Sequence, residues 1–236
     1  MANSYFNFKQ FKVGQEKCAM KVSTVACVFG ALIAREVTGK NILDIGGGTG
    51  LLPLMIAQKN KNATIDSIEI DKDAYEQMAE NFSLSPWKDR LKAYHGDFLN
   101  YNFSRKYELI ISNPPFFQHH LQTKNTAVNL ARHRDHLPID HFVNKISEIA
   151  SGKAHVWLLL PEFEMKLTEG LFNQNGYYVN KCIAIKNFTN GNVLVKANCF
   201  TKEEKEIYEE KLVIRKDRDT YTSRFLQLLK DYYLHL

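Results

Sequence analysis

Asn113-Pro114-Pro115-Phe116 closes an apolar run, Leu109-Ile110-Ile111. The Asn113 amide oxygen and the Pro114 carbonyl are neighbouring acceptors, able together to take both N–H groups of a planar exocyclic amine. Such an amine is a poor nucleophile while its lone pair is delocalised into an aromatic ring. Holding both hydrogens favours a more tetrahedral nitrogen, whose lone pair can then attack. The prolines stiffen the loop, so the acceptors are in place beforehand rather than recruited. Phe116 offers a face on which a base removed from its stack can rest. Taken alone, the tetrapeptide reads equally well as a proline-braced turn whose phenylalanine packs in the core.

A second set upstream changes the balance. Leu43-Asp44-Ile45-Gly46-Gly47-Gly48-Thr49-Gly50 reads as a strand, a glycine turn and the start of a helix. Gly46, Gly48 and Gly50 let the backbone approach a ligand without Cβ interference. A dinucleotide GxGxxG fingerprint starting at Gly46 would need glycine where Leu51 stands, which lowers the dehydrogenase reading. Glu69 ends the next strand, where a carboxylate can accept from both ribose hydroxyls. Asp97, in His95-Gly96-Asp97-Phe98, follows the third strand and can accept from an adenine amino group; Ile70 and Phe98 are expected to sandwich the ring. Each acid alone is compatible with plain surface. Their arrival in order at successive strand ends points to a nucleoside site.

Together the two sets imply methyl transfer from S-adenosylmethionine to an exocyclic amine, with adenine in RNA the leading target. Adenine in DNA and the side-chain amide of a protein glutamine offer the same planar NH2. A catalytically silent nucleic-acid-binding module is the reading from a different class. The lack of a separate target-recognition domain argues against sequence-specific DNA modification. No cysteine nucleophile accompanies the loop, which disfavours carbon-5 pyrimidine methylation.

These residues need a scaffold, and the chain supplies an alternating one. Strands are predicted over 41–45, 64–70, 91–95, 107–112 and 154–160, with helices over 22–37, 51–58, 73–82, 139–150 and 162–172. A hairpin of 177–186 and 193–200 turns at Asn190-Gly191, and an alternating stretch near 206–214 precedes an amphipathic helix near 221–233. The expectation is a doubly wound α/β fold: a mostly parallel seven-stranded sheet with an antiparallel terminal strand. One domain over 1–236 is predicted, with an amino-terminal site segment, 1–38, and a carboxyl-terminal extension, 201–236. In the first segment Phe6, Phe8 and Phe11 alternate with lysines, as a core-covering arm and as a basic arm near the substrate, two compatible readings. The 236 residues carry 44% hydrophobic and 24% charged side chains, a soluble globular balance. Apolar runs fall short of a membrane span, and the start lacks a secretory signal, so the cytoplasm is the expected location. Cys18, Cys27, Cys182 and Cys199 form no CxxC pair, and no metal is expected.

The same motifs resemble the amino-methyltransferase branch of the Rossmann-like methyltransferases. More of the chain, namely Phe6 to Val13, Cys18-Ala19-Met20-Lys21-Val22-Ser23-Thr24, Tyr221-Thr222, Phe225, Leu228-Leu229 and Tyr232-Tyr233, is similar to the tRNA1(Val) (adenine(37)-N6)-methyltransferase family. The resemblance implies transfer from S-adenosylmethionine to N6 of the adenosine beside the anticodon of a valine tRNA. It carries nucleotide binding to Asp44, Gly46, Gly48, Glu69 and Asp97, and the target-amine role to Asn113, Pro114, Pro115 and Phe116. Family members usually have aspartate after the threonine that matches Thr24, where this chain has Val25.

The formal charge of +5 permits a nucleic-acid partner without requiring one. Residues 117–138, a long excursion after the catalytic strand, hold Lys124, Arg132 and Arg134, the candidates for phosphate contact. Lys211, Arg215, Lys216 and Arg218 form a second basic run just after an acidic one, read as either solvated surface or RNA contact. No obligatory protein partner is predicted.

Overall fold

The computed structural model describes residues 3–36, 39–114 and 139–236. A small antiparallel hairpin, β1 (Tyr5–Asn7) and β2 (Lys12–Gly14), precedes helix α1 (Thr24–Glu36). The alternating part follows as β3 (Asn41–Ile45), α2 (Leu51–Lys59), β4 (Thr64–Glu69), α3 (Lys72–Ser83), β5 (Leu91–His95) and β6 (Tyr107–Ser112). Then come α4 (Ile139–Ile149), β7 (Ala150–Leu160), α5 (Glu162–Gln174), β8 (Tyr178–Phe188), β9 (Val193–Thr201), β10 (Tyr208–Arg215) and α6 (Ser223–Leu229).

The main sheet runs β10-β8-β9-β7-β6-β3-β4-β5. All neighbours are parallel except β9, which is antiparallel to both β7 and β8. The doubly wound α/β fold is as expected, but the sheet has eight strands rather than seven. The stretch around 206–214 supplies the extra one, because Leu212 and Ile214 bury one side of β10 while alternate residues stay open. The antiparallel strand is also not at the edge: β9 lies inside the sheet, and the edge strand β10 runs parallel to β8.

Central strands read as continuous apolar runs because both faces are covered. On one face α1, α2, α3 and α6 pack around Phe29, Leu54, Met78 and Phe225. On the other, α4 and α5 close over Leu43, Ile110, Leu158 and Phe200. Pro53 sits in the first turn of α2, where its missing N–H would have no intrahelical acceptor anyway. Asp71 caps α3 by accepting from the Ala74 N–H at 2.8 Å.

The aromatics of the amino-terminal segment cover the core. Phe8 and Phe11 are buried and stacked with centroids 4.4 Å apart, and Phe11 meets Trp87 edge-on at 5.6 Å. Its lysines turn to the protein: Lys9 donates to the Lys230 carbonyl, Lys17 pairs with Glu76 and Lys21 donates to the Gln15 carbonyl. The terminal helix is shorter than predicted. Tyr221 bridges to Arg215 and Tyr233 to Phe8 as β-type pairs, leaving the helical part to start behind its Thr222 cap. Among the described residues, no helix is long and apolar enough to cross a membrane.

Candidate active site

The parallel strands deliver their carboxyl ends to one rim. Asp44 stands near the end of β3, paired in register with Ser67 of β4. It is 1% exposed, and its Oδ2 accepts from the Ser67 hydroxyl at 2.8 Å, while Oδ1 has no protein partner. Burial pushes its carboxyl up to about 7, opposed by the Ser67 bond and reinforced by the charge of Glu69. A buried, unpaired carboxylate oxygen is costly unless something donates to it.

The turn beyond Asp44 is built from backbone. Gly46 and Gly47 both donate to the Ile68 carbonyl, and Gly50 donates back to Gly47. Gly46, Gly48 and Gly50 have φ of 75°, 53° and 77°, a left-handed region that disfavours side chains. A Cβ at Gly46 or Gly48 would meet no atom within 4 Å, so open space lies above these two residues. At Gly47 it would stand 2.3 Å from both Met78 Sδ and Ser67 Oγ, so the underside of the turn is tightly packed.

Glu69, half-buried at the end of β4, accepts from the Gly48 N–H at 2.8 Å and the Asp71 N–H at 2.9 Å, one on each oxygen. Each oxygen keeps a lone pair for a ligand. Asp97 follows β5, also half-buried, with Oδ1 accepting from Leu99 N–H at 3.0 Å and Oδ2 from the Asn100 amide at 2.5 Å. Ile70 is exposed beside Glu69, as a ring-contacting residue must be. Phe98 is not its mirror image. Its ring is 6% exposed and packs on Phe103 and Phe142, because the residues after β5 turn into the α4 side of the core. Of the two residues expected to sandwich the ring, the structure leaves Ile70 open on the surface and Phe98 buried.

Next to this turn, Ser112 of β6 pairs in register with Ile45 and donates to the Ile45 carbonyl at 2.8 Å. Half-buried Asn113 and buried Pro114 therefore begin at the strand end adjoining the glycine turn. Pro115, Phe116, Lys124, Arg132 and Arg134 lie outside the described residues.

Two contributors escaped the sequence reading. Ser67 is the partner of Asp44; its signal was a polar pair, Asp66-Ser67, inside a buried strand. Asn81 of α3, 4% exposed, donates to the Gly14 and Thr49 carbonyls and accepts from the Gly14 N–H, all at 2.8 Å. It clips β2 to the glycine turn, and Gln77, one turn earlier, accepts from the Lys17 N–H at 3.5 Å. The signal was two amides at i, i+4 beside Met78 and Phe82, in a stripe that should be apolar. Cys18, named in the resemblance, is buried, and burial, then the charges of Glu69 and Asp71, push its thiol up to about 11. Cys27 and Cys199 are pushed up to about 12 by burial, so neither is a ready nucleophile. Val25 packs onto the α1–α2 core rather than offering a polar group.

Three carboxylates at consecutive strand ends form an acceptor-rich, anionic cradle beside open glycine backbone. A cationic ligand rich in donors fits it, with an amino group for Asp44, hydroxyls for Glu69 and an adenine amine for Asp97; a pyrophosphate would meet like charge. A cleft of about 430 Å³ lined by Glu36, Glu108, Lys153, His155 and Trp157 lies at the opposite ends of β6 and β7 and belongs to no part of this cradle.

Fold and site together define an S-adenosylmethionine-dependent methyltransferase of the Rossmann-like class. Residues 26–137 match the family model described as methyltransferase small domain. A tRNA1(Val) (adenine(37)-N6)-methyltransferase of Christiangramia forsetii is 36% identical, and one of Cytophaga hutchinsonii 38% identical, each alignment covering all of both chains. A crystal structure of a predicted O-methyltransferase from Agrobacterium tumefaciens shares the fold, with a TM-score of 0.66 at 12% identity, over 87% of this chain and 95% of that one. The chain belongs to the tRNA1(Val) (adenine(37)-N6)-methyltransferase family.

Proposed function

We propose that this enzyme methylates N6 of adenosine 37, beside the anticodon of a valine tRNA. Two full-length relatives carry that activity in their names. The observation that carries the reading is the Ile45–Ser112 pairing, which sets the start of the acceptor loop next to the start of the glycine turn. S-adenosylmethionine supplies an activated methyl group on a sulfonium. Asp44, Gly46, Gly48, Gly50, Glu69 and Asp97 hold it, with Ile70 against the adenine. Phe98 supports the Asp97 turn from below.

Asn113 Oδ1 and the Pro114 carbonyl accept the two N6 hydrogens and turn the nitrogen lone pair towards the methyl donor. No general base is needed before transfer, since the proton leaves after nitrogen becomes cationic. Pro115 stiffens the loop and Phe116 stacks on the flipped base, while Lys124, Arg132 and Arg134 meet phosphates. Residues 1–38 close the cofactor side through Gly14 and Cys18, residues 201–236 brace that closure, and the whole is one domain. From a tRNA substrate we infer a cytoplasmic location.

Methyl transfer from isotopically labelled S-adenosylmethionine to unmodified total tRNA, with nucleoside mass spectrometry and position mapping, tests this. N6-methyladenosine beside the valine anticodon is expected. Asn113→Ala is expected to lower transfer by about 10²–10³-fold with S-adenosylhomocysteine binding nearly unchanged. Unlabelled tRNA from folded, cofactor-binding enzyme overturns the reading in favour of other RNA, DNA or protein glutamine.

A further inference from the structure

The charge runs near the end of the chain look self-cancelling in sequence: Glu203, Glu204, Glu206, Glu209 and Glu210 precede Lys211, Arg215, Lys216 and Arg218. The strand between them pulls them apart. β10 is parallel to β8, and through β9 and β7 it points the same way as β6. Followed through the pairs Ser112↔Leu158, Leu158↔Asn198, Cys182↔Asn198 and Glu209↔Cys182, the amino end of β10 is level with the carboxyl end of β6, and its carboxyl end runs on past the Asn113 rim on the same side of the sheet. Tyr208 to Arg215 spans about 23 Å at roughly 3.3 Å per residue. Glu209 and Glu210 stay level with the end of β6, where Glu210 is neutralised by Arg224 at 2.7 Å, and the bases stand beyond them on the catalytic side of the sheet.

The bases on that side are available. No ion pair among the described residues uses Lys186, Lys216 or Arg218. Lys186, at the carboxyl end of β8, donates only to the Thr189 carbonyl at 2.8 Å. The two acids of the following loop are Asp217 and Asp219. Asp217 accepts the N–H groups of Asp219 and Thr220 at 3.0 and 2.8 Å, which fixes the turn. Arg215 stacks 4.2 Å over Tyr221 and donates to its hydroxyl and to the Arg218 carbonyl, which stiffens the loop that presents Lys216 and Arg218. Between this corner and Asn113, the first turn of α5 leaves Phe163 65% exposed.

We infer that the tRNA lies along this rim, from the acceptor loop at β6 outward to β10, with its phosphates held by Lys186, Lys216 and Arg218. The inference rests on tRNA being the substrate. Four strand spacings across the sheet, about 19 Å, and about 20 Å along β10 from Glu209 to Arg215 put the bases roughly 28 Å from the end of β6. A polyanion presenting its target base at Asn113 can bridge that distance, whereas a free nucleoside or a glutamine side chain cannot. Phe163, between the two, is placed for a base or ribose to pack against it.

The test compares two charge reversals of equal size. Lys186→Glu with Lys216→Glu and Arg218→Glu alters the catalytic rim; Lys153→Glu with Lys202→Glu and Lys205→Glu alters the opposite one. Binding of unmodified tRNA, its salt dependence and the kinetics of methyl transfer are measured for both, beside S-adenosylhomocysteine binding. The rim triple is expected to weaken tRNA binding about tenfold or more, to flatten the salt slope by about two to three units, and to raise KM with kcat held. The control triple should change binding less than about threefold. The corresponding alanine triple serves if the glutamate one does not fold. Equal weakening by both triples, or none from the rim triple, overturns the surface assignment while the tRNA reading stands. A parent enzyme that neither binds nor methylates tRNA overturns both.

Discussion

Replacing Asn81 with alanine removes the clip that joins β2 to the glycine turn. Asn81 makes three hydrogen bonds at 2.8 Å, two to Gly14 and one to Thr49, and is almost fully buried. Each such bond contributes about 1 kcal/mol net, so the loss is about 3 kcal/mol, more if the freed carbonyls stay dry. Urea denaturation read by circular dichroism should show this as a lower midpoint with an unchanged slope. Because Thr49 lies within the turn that faces the ligand, S-adenosylhomocysteine affinity, measured by calorimetry, should fall about tenfold with it. Asn81→Asp separates the parts: it keeps the acceptor for the Gly14 N–H but sets a carboxylate oxygen against two carbonyls. It should be the less stable of the two at pH 8. A stability loss below about 1 kcal/mol for Asn81→Ala would refute the clip, and lost stability with unchanged affinity would refute its tie to the cofactor side.

Asp44 gives a pH signature. Its carboxyl titrates near 7 in the fold against 3.8 ordinarily, so the native state holds a proton that the unfolded chain gives up. Stability should therefore be fullest below about pH 4 and be lost progressively as pH rises to about 7. The cost at pH 8 is roughly 4 kcal/mol; Asp44→Asn should be the more stable protein there, lose that advantage near pH 4, and bind S-adenosylhomocysteine more weakly. An Asn variant with a parallel stability–pH curve would contradict this. Neighbouring glycines should fail differently. Gly47→Ala forces Met78 and Ser67 aside, at about 1–3 kcal/mol by denaturation. Gly48→Ala meets no protein atom, costs only the left-handed backbone at about 1–2 kcal/mol, and chiefly blocks the ligand, visible as lost binding.

Much of this architecture was legible because the central strands are buried on both faces and bounded by turn residues. β3, β5 and β6 fall on the predicted limits for that reason. The edge was harder. Whether 206–214 joins the sheet depends on β8 offering a free side, which no local pattern announces. The terminal helix was overread because Tyr221 and Tyr233 continue its apolar stripe, yet both are drawn into extended bridges. In the site, residue types at strand ends singled out Asp44, Glu69 and Asp97, which the structure sets at or just after the ends of β3, β4 and β5. The sequence could not show that Phe98 turns inward, nor that α3 reaches back to Gly14, since both depend on packing between distant segments.

That reach has a consequence for the order in which the enzyme becomes competent. The Lys9 ammonium donates to the Lys230 carbonyl across a separation of 221 residues, and the neighbouring Phe8 bridges to Tyr233. The hairpin that braces the cofactor side is thus fastened to a segment synthesised 221 residues after it. Closing so long a loop is entropically unfavourable until the sheet between is formed. A nascent chain can build the glycine turn and its carboxylates early and still hold them without their brace. The brace is added only when Lys230 and Tyr233 dock against the hairpin.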